Sequence, residues 1–328
     1  MTGTFKANNP YNNFLLFIYG LVLKLPSFIH PEVPKPEKWD GFLYKLFITW
    51  LHPAGKNFTQ LYSIIAFLLI YLQAIAINKL VNDQRLLPKP NYLTGMAYIL
   101  IASVYPGWNG LHPVLISISF LIPVLSKLCS LHNNPEAKTT LFNIGLISGI
   151  AILVYFPTIV FLVMVLAGIA ITRTFKLPEW IIVFLGVVCP FYFLAAGMFL
   201  AGKNLSELSP TFALSNPLMP ANPWAYAALV LILFTAAVGL IFVQNNMRRL
   251  LVQSRKSWSI LLIFMLMSLV IPFLNAQPAF SFWMFTAIPL SALAAAAFLY
   301  PDRKWFPIVI HWGLVALTAV MAYFYITK

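Results

Sequence analysis

The sequence predicts an all-α membrane protein, a polytopic helical bundle of about eleven transmembrane helices. Three observations lead to this fold class. Apolar stretches of roughly 16–22 residues recur along the chain, close to the ~20 residues that a helix needs to cross a bilayer. Of the 328 residues, 61% are hydrophobic and 9% are charged. Lysine and arginine fall almost entirely between the apolar stretches, and mostly in alternate gaps.

The composition disfavours several other classes of protein. A soluble domain carries about a quarter charged residues, so residues 1–328 are expected to form a single integral membrane domain. The net charge of +13 is spread over helix ends, where anionic lipid head groups account for it. Nucleic acid is therefore not an expected partner. Cys129 and Cys189 have neither metal-ligand nor disulfide spacing, so no zinc site or disulfide framework is expected.

The predicted spans are residues 13–29, 59–79, 91–105, 111–128, 140–156, 158–173, 179–201, 222–243, 258–274, 279–300 and 306–326. The first follows a polar N-terminus without a signal-cleavage site, so we expect it to be retained. Lys24 within it is expected to snorkel to the interface. Around Pro157 the chain forms either a turn between two short spans or a kink in one long helix. Two spans are favoured, because they bring the basic gaps at Lys138 and Arg173 to one side.

The charge pattern also predicts the orientation. Short positive loops stay in the cytoplasm, and with two spans around Pro157 every short basic loop falls on one side. The N-terminus is then cytoplasmic and the C-terminus external, in a bacterial inner membrane. Two larger outer segments result, a first outer loop at residues 27–58 and a second at residues 202–221.

The first outer loop has two predicted parts. Prolines at positions 31, 34 and 36 favour an extended stretch. Residues 41–51 (GFLYKLFITWL) then place polar residues on a thin stripe and apolar residues on a wide face, which is typical of an amphipathic helix in the membrane interface. Asp40 is expected at or near the N-cap of this helix. Its role is left open between a helix cap and a catalytic base.

None of the eight carboxylates falls in the middle of a predicted span. Ion-coupled carriers place ionisable residues within the membrane, so an ion-driven carrier is disfavoured, although a facilitator stays open. His311, in the last span, is interpreted as a hydrogen-bonded packing residue rather than as part of a pathway.

The predicted order of elements is a single N-terminal span, then an outer loop in which an acidic residue lies beside an amphipathic helix. This order is part of a known architecture. Residues 140–157 (TLFNIGLISGIAILVYFP) add a small-residue-rich helix that runs into a break. Over roughly the first two-thirds of the chain, this order resembles the GT-C glycosyltransferases, which transfer a sugar from a polyprenyl-phosphate donor. The resemblance implies that Asp40 is the catalytic base, with Glu37 in support.

The same resemblance implies cationic partners for the donor phosphate and polar contacts for the substrate. The residues in these positions are Lys38, Lys45, His52, Lys56, His112 and Lys203, and Lys35 is a further cation of the same segment as Asp40. No cofactor is expected. The next outer loop, residues 105–113 (YPGWNGLHP), contains no carboxylate, so a divalent metal at the donor site is not supported.

Over its full length the chain resembles a family of uncharacterised polytopic bacterial inner-membrane proteins. Residues 87–95 (LPKPNYLTG) and 255–260 (RKSWSI) carry this resemblance, which implies no activity. The alternative to an enzyme is a non-catalytic membrane subunit of a secretion or envelope-assembly complex, and a lipid or solute facilitator is a third hypothesis. The expected partners are membrane lipids, the polyprenyl-phosphate-linked sugar and other envelope proteins. A cavity flanked by Asp40 would favour the enzyme, whereas a solid bundle with an exposed apolar flank would favour the subunit.

Overall fold

The computed structural model describes residues 2–37, 40–133, 137–204, 214–219, 222–274, 279–303 and 305–327. These residues form thirteen α-helices and no β-strand, which confirms the all-α class. The helices are α1 (Thr2–Lys6), α2 (Tyr11–Ile29), α3 (Phe42–Asn57), α4 (Gln60–Asp83), α5 (Leu93–Val104), α6 (Pro113–Ser130), α7 (Ala137–Val154), α8 (Phe161–Thr172), α9 (Leu177–Leu200), α10 (Pro223–Asn246), α11 (Val252–Val270), α12 (Ala287–Leu299) and α13 (Trp305–Ile326). Short 3-10 turns lie at Pro106–Trp108, Leu131–Asn133, Phe156–Val160, Met247–Arg249, Ile271–Phe273 and Phe280–Thr286.

The described part of the chain contains nine helical stretches that are long and apolar enough to cross a membrane. They are Tyr11–Ile29, Gln60–Asp83, Pro113–Ser130, Ala137–Val154, Leu177–Leu200, Pro223–Arg249, Val252–Phe273, Phe280–Leu299 and Trp305–Ile326. The protein is therefore a multi-pass membrane protein. The other two predicted spans correspond to shorter apolar helices, Leu93–Val104 and Phe156–Thr172. The expected number of about eleven spans is not established, because these two helices are short for a bilayer core of ~30 Å.

Helix α5 occupies the centre of the bundle. All 12 of its residues are buried, and it packs among α2, α4, α12 and α13. Because it contacts protein rather than lipid, the thickness of the bilayer does not set its length.

The chain breaks and turns back between α7 and α8. Tyr155 has an extended backbone (φ −151°, ψ 105°), so the two helices are not one kinked helix. At the far end of α8, the guanidinium of Arg173 donates a hydrogen bond to the carbonyl of Leu131, just before α7, at 3.4 Å. The end of α8 thus returns to the side on which α7 begins, as the positions of Lys138 and Arg173 predicted.

Helices α7 and α9 approach each other through glycines. A β-carbon at Gly145 would overlap the carbonyl oxygen of Val183, and one at Gly186 would overlap that of Phe142. Small residues of this kind allow membrane helices to pack backbone to backbone. The small-residue-rich segment predicted at residues 140–157 is therefore a packing surface for α9.

One end of the bundle, here called the basic end, gathers the loops rich in lysine and arginine. The Trp258 indole N–H donates to the carbonyl of Leu86 (3.0 Å), and the Ser254 hydroxyl donates to that of Gln84 (2.9 Å). Near it, Asn91 bonds to Asn82 through its backbone N–H at 3.2 Å. Of the two segments that carried the resemblance to an uncharacterised family, residues 255–260 thus contact the chain just after α4, and residues 87–95 bond back to α4 at the same end.

The opposite end, here called the acidic end, holds the carboxylates of residues 32–40. A β-carbon at Gly41 would overlap the carbonyl oxygens of Leu153 and Val154, so the start of α3 lies directly on the end of α7. The Tyr325 hydroxyl, near the end of α13, donates to Glu32 Oε1 at 2.5 Å. The N-terminal helix instead reaches the basic end, where the Tyr92 N–H donates to the Phe5 carbonyl (2.8 Å). The start of the described chain and the end of its last helix therefore lie at opposite ends of the bundle.

The expectation that Lys24 snorkels to the interface is wrong. Its side chain is 1% exposed, and its ammonium donates to the carbonyl of Ala102 at 2.8 Å and to the side-chain oxygen of Asn109. A sequence shows the charge within the apolar run but not the acceptors that another segment provides. Lys24 therefore ties α2 to the end of α5 and to the loop that follows it.

His311 is a buried residue that packs between helices. The Tyr19 hydroxyl of α2 lies 3.2 Å from His311 Nε2, and the two rings stack with centroids 5.9 Å apart. Within the described residues, His311 Nδ1 has no hydrogen-bond partner. The contact with Tyr19 agrees with the interpretation of His311 as a packing residue.

Candidate functional site

A cavity of about 290 Å³ opens at the acidic end, where three segments of the chain meet. The first is the segment leading into α3, the second is the loop before α6, and the third is the turn before α12. The side chains and backbone that line it are Glu32, Val33, Pro34, Lys35, Glu37, Asp40, Tyr44, Gly110, Leu111, His112, Pro113, Ala279, Ser281 and Phe282. Among the described residues, the cavity lining thus combines three carboxylates with one lysine and one histidine.

Asp40 is held in a turn that precedes α3. Its Oδ2 accepts a hydrogen bond from the backbone N–H of Glu37 (2.8 Å), while its own N–H donates to the Glu37 carbonyl (3.2 Å). The N-cap of α3 is Gly41, and no side chain caps the helix. Asp40 thus lies directly before the N-cap, near the position expected for it. Of the two roles left open for it, the helix cap is not seen, because the carboxylate turns back to Glu37 rather than forward to the amides of α3.

The environment of Asp40 favours its protonated form. Burial raises the pKa of its carboxyl from the ordinary value of 3.8 to about 6. The hydrogen bond from the Glu37 backbone and the charge of Lys45 act in the opposite direction, and the charge of Glu37 adds to the increase. A carboxyl with a pKa near 6 is still mostly ionised at neutral pH and is a stronger base than an ordinary aspartate.

Tyr44 connects α3 to the loop before α6. Its side chain is buried, and its hydroxyl donates to the carbonyl of Leu111 at 2.9 Å. Burial raises the pKa of this phenol, and the charges of Asp40 and Glu37 raise it further. Tyr44 therefore stays neutral, and its hydrogen bond fixes two walls of the cavity relative to each other.

His112 and Glu32 approach each other across Gly110. A β-carbon at Gly110 would lie 2.8 Å from His112 Nε2 and 3.0 Å from Glu32 Oε2. His112 Nε2 itself lies 2.8 Å from the carbonyl of Gly107. Burial lowers the pKa of His112, whereas the Glu32 carboxylate and the contact with Gly107 raise it. The small residue at position 110 leaves room for an acid and an imidazole to face the same space.

The structure brings together some of the predicted site residues and leaves others apart. Asp40, Glu37 and His112 all line the cavity. Lys45 lies half-buried on α3 and acts on Asp40 through its charge. His52, Lys56 and Lys203 are exposed, and none of these three residues, nor Lys45, lines the cavity. The predicted residue Lys38 lies outside the described residues, as does Glu207 of the second outer loop.

Several residues of the cavity were not predicted as site residues. Glu32 lies in the same acidic and proline-rich stretch as Glu37, so its position in the sequence could have suggested it. Ser281 belongs to a turn far along the chain and carries no such signal. Tyr325, which donates to Glu32, likewise comes from the last helix. Contacts between distant segments of this kind require the folded structure.

The described residues offer no ready metal site. Among them, no group of three or more His, Cys, Asp and Glu side chains is arranged to hold a metal ion. Cys129 is buried, Cys189 is half-buried, and both are free thiols.

One comparison with known proteins found a matching family. A family model described as a family of unknown function, DUF6427, matches residues 40–328. The chain belongs to this family, and the prediction of an uncharacterised family is confirmed. A comparison with curated proteins found no match, and neither did a comparison with solved structures. The resemblance to GT-C glycosyltransferases stays a prediction.

Proposed function

We propose that the cavity at the acidic end is the active site of a GT-C-like glycosyltransferase, which transfers a sugar from a polyprenyl-phosphate donor at the outer face of a bacterial inner membrane. The observation that carries this proposal is the place of Asp40. Its carboxyl, with a pKa raised to about 6, lines a cavity together with Glu37, Glu32 and His112. A cavity flanked by Asp40 is the feature that distinguishes the enzyme hypothesis from a solid bundle.

In the proposed reaction, Asp40 accepts the proton of an acceptor hydroxyl as its oxygen attacks the anomeric carbon of the sugar. A new glycosidic C–O bond forms, and the C–O bond to the phosphate breaks. The polyprenyl phosphate leaves with the electron pair of that bond. The backbone N–H of Glu37 orients the Asp40 carboxylate through its hydrogen bond of 2.8 Å.

The distribution of charge suggests where each substrate lies. The described lining contains three carboxylates and a single lysine, Lys35, so it suits a sugar bearing hydroxyl groups better than a phosphate. Lys45, His52 and Lys56 follow one another along α3 at helical spacing. Because α3 rises about 1.5 Å per residue, His52 and Lys56 lie too far along it to reach a phosphate beside Asp40. In this proposal the donor phosphate is contacted by Lys45, whose charge acts on Asp40.

The exposed apolar side chains of α3 agree with a lipid-linked donor. Leu46 is 51% exposed and Trp50 is 76% exposed, although both belong to an apolar face. A helix with this distribution lies in the membrane interface, where its apolar face contacts acyl chains. A polyprenyl chain in the bilayer would bring its phosphate to the depth of this helix.

The test compares sugar transfer by Asp40→Asn and by the normal protein in membranes supplied with a panel of polyprenyl-phosphate sugars. Asparagine keeps the shape and can still accept the Glu37 N–H, but it accepts no proton. We expect turnover to fall by at least ~10²-fold at normal protein levels. Asp83→Asn, which changes an exposed carboxylate at the basic end, is the control and should leave transfer unchanged. Full transfer by Asp40→Asn would overturn the proposal.

One observation favours the second candidate, a non-catalytic membrane subunit of an envelope complex. Helix α9 packs mainly on α7 and exposes a large apolar flank that includes Phe184, Val188 and Phe193. Such a flank suits another membrane protein as well as lipid. If Asp40→Asn keeps the function of the normal protein in cells while Val188→Trp loses it, the subunit hypothesis is favoured over the enzyme hypothesis.

A further inference from the structure

A second cavity, independent of the proposed active site, lies at the basic end. It is an open groove of about 530 Å³ between the last turns of α10, the loop after α12 and the start of α13. Its position, where three apolar helices end together, corresponds to the depth of lipid head groups. The residues that matter for its chemistry are Phe242, Tyr300, Asp302, Arg303, Trp305 and Phe306.

The walls of this groove are aromatic. The rings of Phe242 and Tyr300 stack with centroids 5.9 Å apart and an interplanar angle of 11°. Trp305 is the first residue of α13 and is 57% exposed. Tyrosine and tryptophan concentrate at membrane–water interfaces, because each has an apolar ring and a polar atom. The walls therefore suit the upper part of an acyl chain and its glycerol backbone.

The mouth of the groove carries two opposite charges. Asp302 and Arg303 are exposed neighbours, and both line it. The structure records one ion pair within the described residues, Arg173 with Glu179 at 3.0 Å. Asp302 and Arg303 therefore do not close on each other. The groove presents a carboxylate and a guanidinium side by side. A complementary ligand carries a cationic group for the carboxylate and an anionic group for the guanidinium.

We propose that this groove binds a zwitterionic phospholipid of the phosphatidylethanolamine type. The lipid phosphate accepts hydrogen bonds from the Arg303 guanidinium, whose planar fork matches phosphate oxygens. The primary ammonium of the head group donates to the Asp302 carboxylate. The acyl chains follow the aromatic wall of Phe242 and Phe306. An anionic head group without an ammonium would meet the negative charge of Asp302, and a choline head group has no N–H to donate.

The test measures lipid retention by the full chain purified in detergent and incubated with phosphatidylethanolamine, phosphatidylglycerol or phosphatidylcholine of equal chain length. Native mass spectrometry counts the bound lipid. We expect a preference for phosphatidylethanolamine, and a fall of roughly tenfold or more in its affinity in Arg303→Gln, as is usual for the loss of a charge-assisted hydrogen bond. Asp302→Asn should remove the preference over phosphatidylglycerol.

The matched control is Arg255→Gln, which removes another exposed cation of the basic end that does not line the groove. It should retain phosphatidylethanolamine like the normal protein. Three outcomes would overturn the proposal: equal retention of the three lipids, a preference for phosphatidylglycerol in the normal protein, or unchanged retention in both Arg303→Gln and Asp302→Asn. None of these outcomes bears on sugar transfer at the acidic end.

Discussion

The Asp40 carboxylate accepts a hydrogen bond from the backbone N–H of Glu37, with 2.8 Å between the two atoms. This bond stabilises the ionised form, yet burial is the larger effect and raises the pKa to about 6. The fold thus holds the ionised Asp40 at a cost in stability, and in the proposed mechanism this same carboxylate is the base. Removing the charge of Asp40 should therefore lower the proposed activity and raise the stability of the protein.

The first prediction is that Asp40→Asn stabilises the protein at neutral pH while it abolishes the proposed activity. The folded-state pKa lies above the ordinary value of 3.8, so the folded protein binds this proton more tightly than the unfolded chain does. The contribution of Asp40 to stability is therefore greatest below pH 3.8 and is lost as pH rises toward about 6. Melting temperatures of the two proteins should differ at pH 7.5, with Asp40→Asn higher, and the difference should shrink or reverse near pH 4. An equal difference in melting temperature at both pH values would contradict the raised pKa of Asp40.

The second prediction concerns Gly41, which allows α3 to begin against the end of α7. Gly41→Ala would bring a β-carbon into the carbonyl oxygens of Leu153 and Val154, so α3 must move. We expect a loss of about 1–3 kcal/mol in stability, as for overpacking elsewhere, together with a displaced Asp40. Gly197→Ala is the control, because nothing lies within 4 Å of that position. Equal melting temperatures for the two variants would contradict the close contact between the start of α3 and the end of α7.

The sequence predicts the helices better than it predicts the contacts between them. Each of the expected apolar spans corresponds to a helix, because the bilayer demands long apolar runs that are visible in one dimension. The turn near Pro157 was also predictable, since Lys138 and Arg173 must share a side. Asp40, Glu37 and His112 were chosen by their place in the outer loops, and the fold brings them to one cavity.

Other features depend on partners that no local pattern reveals. The burial of Lys24 depends on Asn109, 85 residues away. The contact between Glu32 and Tyr325 joins positions 293 residues apart. Likewise, the sequence placed Lys45, His52 and Lys56 beside Asp40, but none of the three lines the cavity. A helix advances about 1.5 Å per residue, so His52 and Lys56, near the end of α3, lie well beyond Tyr44, which does line it.

The third prediction is that Lys24→Met loosens the loop that carries His112. The ammonium of Lys24 donates to Asn109 and to the carbonyl of Ala102, and methionine would leave both acceptors without that donor. A buried acceptor left unsatisfied costs about 1–3 kcal/mol. A cysteine placed at Gly107, which faces open space, should react faster with a maleimide in the Lys24→Met background. Lys79→Met, at an exposed position of α4, should leave the rate unchanged. Identical rates in both backgrounds would mean that Lys24 does not position this loop.

The fourth prediction tests the junction between α4 and α11. Trp258 is fully buried, and its indole N–H is the donor to the Leu86 carbonyl. Trp258→Phe removes that donor and part of the buried volume, so a loss of roughly 2–4 kcal/mol in stability is expected. Trp312→Phe changes an indole that is 52% exposed and should alter the melting temperature little. A small effect at Trp258 would contradict the role of this junction in holding the basic end together.

The fifth prediction concerns which end of the bundle faces the cytoplasm. Asn57, Lys203 and Arg255 are all exposed, the first two at the acidic end and the third at the basic end. Cys189 is replaced by alanine in this experiment, and Cys129 is only 2% exposed, so neither native position should be labelled. Labelling then reports whether the reagent reaches a single cysteine introduced at each of the three positions. Asn57→Cys and Lys203→Cys should react with a membrane-impermeant thiol reagent added to intact spheroplasts. Arg255→Cys should react only after the membrane is opened.

The physical reason is the attraction of juxtamembrane cations to an anionic cytoplasmic surface, on the order of 1 kcal/mol for each lysine or arginine. Several such residues gather at the basic end, so their sum opposes the inverted orientation. Labelling of Arg255→Cys from outside would place the acidic cavity in the cytoplasm. Asp40 would then have no access to a donor presented at the outer face, and the proposed transfer reaction would fail on topology alone.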